Sequence, residues 1–159
     1  MAEPAPVSES QGLELVPVVA ADLPLLEGFV RAYYLEDGHT FREDFQPAAL
    51  AALVAGEPLC RAWLIRLDAR PVGYVVLALT FSVEAGGREA CVDELYLVAE
   101  VRNQGLGSRA LALVEAEARD LGVRRIFLEV QRGNRVIELY RRAGYVDHDR
   151  FLMSKFLTR

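Results

Sequence analysis

V-R-N-Q-G-L-G-S-R-A-L, residues Val101 to Leu111, joins an apolar strand-like run to an amphipathic helix and places two glycines at the junction. A helix N-terminus presents unpaired backbone N–H groups and the positive end of the helix dipole. Glycine lets an oxyanion approach that backbone with no side chain in between. The stretch therefore predicts a bound phosphate group. Arg102 and Arg109 point the same way, because the dipole disfavours cations at a helix start and an anionic ligand would resolve the conflict. An isolated G-x-G read without these cations is equally a tight turn into a helix.

Outward from this junction the chain reads as an α/β fold. Leu106, Ala110, Leu113, Val114, Ala118 and Leu121 recur at three and four, marking one helix face, and Gly122 stands where a C-terminal glycine belongs. Upstream, Leu59 to Leu67, Val72 to Val83 and Ala90 to Val98 are apolar runs split by short turn-type connections, which predicts an antiparallel meander. Before it come a strand over Leu13 to Val19 and a helix from Ala21 or Asp22 through Tyr33, with Asp22 as the cap. Glu36 to Thr40 breaks that helix, and Pro47 opens a short second one. Downstream, Ile126 to Val130 predicts a strand parallel to its neighbour, followed by a helix through Ile137, Leu139 and Tyr140 that ends at Gly144. Tyr145-Val146 and Phe151 to Leu157 predict two closing strands around a polar turn.

The 159 residues, 52% of them hydrophobic, suffice for one good core and are short for two. A single domain over residues 13–159 is expected, after a disordered lead, residues 1–12, without the pattern of a secretory signal. Acids outnumber bases 23 to 18, which argues against a nucleic-acid partner and favours a cationic or amine substrate. Pro71 to Val83, the longest apolar stretch, is interrupted by Gly73 and falls short of the roughly 20 residues that span a bilayer, so no membrane span is expected. Cys60 and Cys91 sit in apolar runs and read as two buried thiols, which fits a reducing cytoplasm. With His39 and His148 they lack ligand spacing, so no metal is expected, and no hydrolase triad is readable.

Gly105 to Ala110 also fits the dinucleotide fingerprint G-x-G-x-x-G/A, with Glu129 about twenty residues on as a ribose-binding acid. That would make the chain a small nucleotide-binding oxidoreductase. The upstream meander argues against it, since a dinucleotide half needs repeated strand-helix-strand units. A P-loop fails because no G-K-[ST] occurs.

Arg102-Asn103-Gln104-Gly105-Leu106-Gly107 resembles the R/Q-x-x-G-x-G/A pyrophosphate loop of the GNAT superfamily of acyl-CoA-dependent N-acyltransferases. The D-E-L-Y-L strand before it and the N-x-x-x-x-x-Y-x-x-x-G-Y segment from Asn134 to Tyr145 extend the resemblance from about Leu13 to the C-terminus. It implies a mixed, mostly antiparallel central sheet of six or seven strands, splayed between the fourth and fifth, Val92 to Val98 and Ile126 to Val130, and flanked by about four helices. It implies acetyl-CoA as co-substrate, its pyrophosphate held by Arg102, Asn103, Gln104, Gly105, Leu106, Gly107 and Ser108, and its pantetheine arm beside Leu97, Asn134 and Tyr140. Asn103, Ala99 and Ile137 stand where the family often has glycine, proline and alanine. The bulkier Ile137 narrows the acyl pocket and favours acetyl over longer chains.

Acetyl transfer to an amine needs a neutral nucleophile, stabilisation of an oxyanion and a proton for the departing thiolate. By the resemblance, Tyr140 is the general acid, and strand N–H groups near Leu97 stabilise the oxyanion. Asp93 and Glu94 are acids in an otherwise apolar strand, and alternation would send them to opposite faces, so at most one would face the cleft. Asp93 shares its side with Leu95 and Leu97 and occupies the position of the base in similar polyamine-type acetyltransferases, whereas Glu94 shares its face with Tyr96; the sequence does not separate the two, with a slight preference for Glu94. Tyr33, Tyr34, Glu36 and Asp37, with Ser82, Glu84 and Arg88, are candidates for the acceptor pocket, and His39 could approach it from its loop. The expected activity is direct acetyl transfer from acetyl-CoA to a primary amine, a small molecule in preference to a protein N-terminus. A non-catalytic acyl-CoA-binding module remains a third alternative. The closing segment Phe151 to Phe156 offers an edge through which a homodimer would pair.

Overall fold

The computed structural model describes residues 12–157, so the expected disordered lead lies outside the described residues except for Gly12. Gly12 is anchored: its N–H donates to Asp68 Oδ1 at 2.9 Å and its carbonyl accepts the Asp68 N–H. The described chain forms two compact units, divided between Glu129 and Val130.

The first unit carries a five-stranded sheet in the order β1-β2-β3-β4-β5. β1 (Leu13–Pro17), β2 (Cys60–Leu67), β3 (Arg70–Ser82) and β4 (Gly87–Leu97) form the expected meander, each antiparallel to the next. The β2–β3 turn is tight because Asp68 and Ala69 both take positive φ, which matches the twist of the paired strands. β5 (Arg125–Phe127) runs parallel to β4, but only Glu89 to Cys91 pair with it. All three residues of β5 are paired, and the edge of β4 from Val92 onward has no strand beside it among the described residues. β5 ends at Phe127, short of the expected Ile126 to Val130.

The helices cover the two faces of the sheet. α3 (Leu106–Asp120) buries Leu106, Ala110, Val114 and Ala118 against Trp63, Ile65, Val72, Val75, Leu77 and Val92. α1 (Leu23–Asp37) and α2 (Gln46–Val54) bury Leu26, Val30 and Leu50 on the opposite face, over Ala62, Tyr74, Val76 and Tyr96. Each fully buried aliphatic side chain contributes about 1.5–3 kcal/mol relative to exposure, so these two layers hold the unit together. α1 runs past the expected break at Glu36 because Gly38, at φ +74°, supplies the left-handed cap one residue beyond Asp37. Asp22 does not cap α1. Its carboxylate accepts the Val19 N–H at 2.9 Å, closing a single 3-10 turn ahead of the helix.

The second unit, residues 130–157, contains α4 (Ile137–Arg142), as expected, and Arg141 bridges Glu138 and Asp147. It contradicts the two closing strands: no residue from Tyr145 to Leu157 is in a strand, and the sheet has five strands instead of six or seven. Phe151, Leu152, Met153, Phe156 and Leu157 are all exposed. A short apolar run without alternation does not specify a pairing partner, and F-L-M is such a run.

Gly73 is buried opposite Leu97, where β3 and β4 approach so closely that a Cβ would lie 2.0 Å from the Tyr96 carbonyl oxygen. Gly73→Ala is expected to destabilise the chain by about 2 kcal/mol or more, read as a lower urea midpoint with an unchanged slope.

Candidate active site

Strand β4 carries one residue too many for its partner. Val76 pairs with Glu94 and Leu77 with Val92, so Asp93 stands unpaired in a β-bulge. Val92 and Leu95 both pack into the α3 face, three residues apart, which leaves Asp93 and Glu94 consecutively on the α1/α2 face. This corrects the expectation that alternation separates them. The negative charge of Asp93 accordingly acts on Tyr34, Cys60, Cys91 and Glu94.

The two acids are held differently. Glu94 accepts the Tyr34 hydroxyl at 2.8 Å and the Tyr74 hydroxyl at 2.7 Å, one on each oxygen. Burial raises its pKa, and the two hydroxyl donors pull it back down. Tyr34 and Tyr74 are in turn pushed far up, first by burial and then by the Glu94 charge, so both stay protonated. Asp93 makes no hydrogen bond or ion pair among the described residues, and the protein around it raises its pKa by desolvation. Tyr74 escaped notice in the sequence. The signal was there, since a tyrosine inside the apolar run V-G-Y-V-V-L needs a buried acceptor for its hydroxyl.

An aromatic wall surrounds Glu94. Tyr33 stands edge-on to Tyr34 at 5.9 Å and tilted to Tyr96 at 6.0 Å, and Phe29 lies 6.4 Å from Tyr74. His39 packs on Tyr34 at 5.7 Å and its Nε2 lies 2.8 Å from Asp37 Oδ2. Glu36 accepts from Tyr96 at 3.3 Å and from Arg102 at 2.7 Å. Arg88 leaves this group. Its side chain donates to the Leu121 carbonyl at the C-terminal end of α3. Glu84 pairs with Arg125, which also holds buried Glu89 and Ser82 at the start of the β4–β5 pair. Cys60 and Cys91 are free thiols on the α1/α2 face, one in each strand flanking Ala78. Desolvation raises both pKa values, that of Cys91 to about 12.

The glycine junction follows β4 through a 3-10 turn, Ala99 to Val101. Asn103 takes φ +59° and Gly105 φ +77°, and Gly105 is the N-cap of α3. Asparagine is among the non-glycine residues that tolerate this left-handed conformation, which accounts for Asn103 where the family often has glycine. Gln104 donates to the Glu100 carbonyl and stiffens the loop. No side chain caps α3, so the N–H groups of Leu106, Gly107 and Ser108 in its first turn are left for a ligand, and the space where a Gly105 Cβ would stand is open. These residues fit a phosphate-bearing group. Arg102, expected beside them as a phosphate ligand, donates to the Leu97 carbonyl at 2.7 Å and to Glu36.

Asn134 and Tyr140 belong to the second unit. Asn134 Oδ1 accepts the Val136 N–H at 3.0 Å and shapes the turn into α4, two residues before the helix cap. Tyr140 stacks edge-on against Tyr145 at 5.8 Å, and burial raises its pKa, so the phenol stays protonated at neutral pH. Among the described residues no cluster of three or more His, Cys, Asp or Glu could hold a metal, and no helix is long and apolar enough to cross a membrane.

The unpaired edge of β4 thus leads into an uncapped, glycine-rich helix start, an arrangement suited to a ligand that carries phosphate. Residues 25–145 match the sequence model of the acetyltransferase (GNAT) family, and the chain belongs to that family. An integron cassette protein, HFX_CASS3, from the mobile metagenome of Cole Harbour Salt Marsh is similar over 91% of each chain, at 33% identity and TM-score 0.77. A predicted acetyltransferase of Clostridium acetobutylicum, solved with acetyl-CoA, shares the fold at 16% identity and TM-score 0.73 over 91% of this chain and 96% of its own. So does the aminoglycoside N-acetyltransferase AAC(6')-Iy, solved with CoA, at 12% identity and TM-score 0.74 over 94% and 98%. No curated protein sequence matches the chain.

The raised pKa values of Asp93 and Glu94 fix a sign for stability against pH. As pH rises through the ordinary carboxylate range the unfolded chain releases these protons first. Their contribution to stability therefore falls with rising pH until both acids are ionised in the folded state, and is flat above that. Urea midpoints of the wild type minus those of Asp93→Asn/Glu94→Gln, measured between pH 4 and 7.5, are expected to decline across this window.

Proposed function

We propose that the chain transfers an acetyl group from acetyl-CoA to the primary amine of a small molecule by direct attack on the thioester. The bulge that turns Asp93 and Glu94 onto one face, beside the unpaired edge of β4, carries this proposal. Acetyl-CoA supplies the activated acyl carbonyl. The N–H groups of Gln104 to Ser108 bind its pyrophosphate, and the end of β4 near Leu97 lies along its pantetheine arm.

Asp93 is the base. Its carboxylate is unpaired, whereas both oxygens of Glu94 are occupied by tyrosine hydroxyls. It removes the proton that an ammonium acceptor must lose before attack. Glu94 anchors Tyr34 and Tyr74 and keeps the face negative. The family pattern assigns Tyr140, which burial keeps protonated, the proton that the departing thiolate takes up. Asp93, Glu94, Glu36 and Asp37 with the wall of Tyr33, Tyr34 and Tyr96 suit a cationic amine. The aminoglycoside acetyltransferase with the same fold supports a small-molecule acceptor.

Purified protein is titrated calorimetrically with acetyl-CoA and with NADH, and a panel of amines is screened for thiol release. Saturable acetyl-CoA binding and amine-dependent thiol release are expected. NADH binding without acetyl-CoA binding would overturn the proposal. Gly107→Glu, which fills the phosphate cradle, is expected to abolish acetyl-CoA binding. Asp93→Asn and Tyr140→Phe are each expected to retain binding and to lower kcat by about 10²-fold or more.

A further inference from the structure

Resting on the transferase assignment above, we propose that Arg102 is a positioning residue for the amine side of the site, clamping Glu36 and the end of α1, and that it does not ligate the cofactor phosphates.

The side chain of Arg102 is committed. Its Nε donates to the Leu97 carbonyl at 2.7 Å, its Nη2 to Glu36 Oε2 at 2.7 Å, and its guanidinium carbon lies 5.3 Å from the centre of the Tyr96 ring. The Tyr96 hydroxyl donates to the other oxygen of Glu36. The conflict of a cation close to a helix start is thus answered within the chain by the Glu36 carboxylate, and needs no bound anion to explain it. A half-exposed pair of this kind contributes little to stability, so its consequence lies in what it positions.

What it positions is the last turn of α1. Glu36 lies there, two residues after Tyr34, whose hydroxyl is held by Glu94. The end of α1 is therefore tied to β4 by Tyr34 to Glu94 and by Glu36 to Tyr96, and to the loop after β4 by Glu36 to Arg102, with Tyr33 in the same turn. The two tyrosine ties are part-buried and the arginine tie is open to solvent. Loss of Arg102 leaves Glu36 held by the Tyr96 hydroxyl alone and loosens the segment that carries Tyr33, Asp37 and His39. The backbone N–H groups that face a pyrophosphate are left as they were.

Arg102→Gln, Arg102→Lys and Glu36→Gln are compared with the wild type by acetyl-CoA calorimetry, by amide hydrogen exchange over residues 33–39, and by the KM of the amine turned over fastest in the panel above. The Kd for acetyl-CoA is expected to change by less than about fivefold in Arg102→Gln and Glu36→Gln, while exchange over 33–39 accelerates in both. The amine KM is expected to rise about tenfold with a smaller change in kcat, and lysine, which cannot span both acceptors, fails to restore it. A Kd weakened fivefold or more in Arg102→Gln and not in Glu36→Gln would show a phosphate ligand and overturn the clamp, as would unchanged exchange over 33–39. A wild-type chain that binds no acetyl-CoA would instead overturn the transferase assignment, and the exchange comparison would still decide the clamp.

Discussion

The unpaired residue in β4 is the constraint on which the acceptor face depends. Without it, Asp93 and Glu94 would alternate, and one carboxylate would enter the apolar layer under α3 among Val92, Leu95 and Val114. An ionised carboxylate there would have no partner, and even a neutral polar group buried without a hydrogen bond costs about 1–3 kcal/mol in proteins. The bulge removes that conflict and places two acids side by side on the face that already holds Tyr34 and Tyr74. Those hydroxyls satisfy one of the two carboxylates and leave the other unpaired. Neighbours of like charge thus acquire different environments, which is how one face can hold a structural carboxylate next to a chemically available one.

Much of this was legible in the residues. The glycine junction, the amphipathic stripe of α3 and the meander before it follow from periodicity and turn chemistry, which are local properties. The bulge was not, because it is a property of two strands in register and β4 alone reads as regular alternation. The bonding of Arg102 is likewise not a local property. Its partner Glu36 is 66 residues away in sequence, and nothing local announces the pair. The closing strands failed for a related reason: apolar composition at Phe151 to Leu157 says that burial would be favourable and does not say against what.

The two ends of the β4–β5 pair have opposite characters. Where the strands meet, Glu89 is buried against Arg125, which also reaches Glu84 and Ser82, so three polar side chains gather around one cation. Beyond Cys91, β4 loses its neighbour within a few residues of Asp93. A strand edge without a partner leaves backbone donors and acceptors unsatisfied, and a ligand with amide groups of its own is a natural complement to it.

The thiols have a practical consequence for anyone following turnover. Disulfide reagents and alkylating dyes react with thiolates, and desolvation together with the nearby carboxylates keeps Cys60 and Cys91 protonated at neutral pH. A chromogenic disulfide added to the assay therefore reports free coenzyme A released into solvent, with little background from the protein and little inactivation through its cysteines.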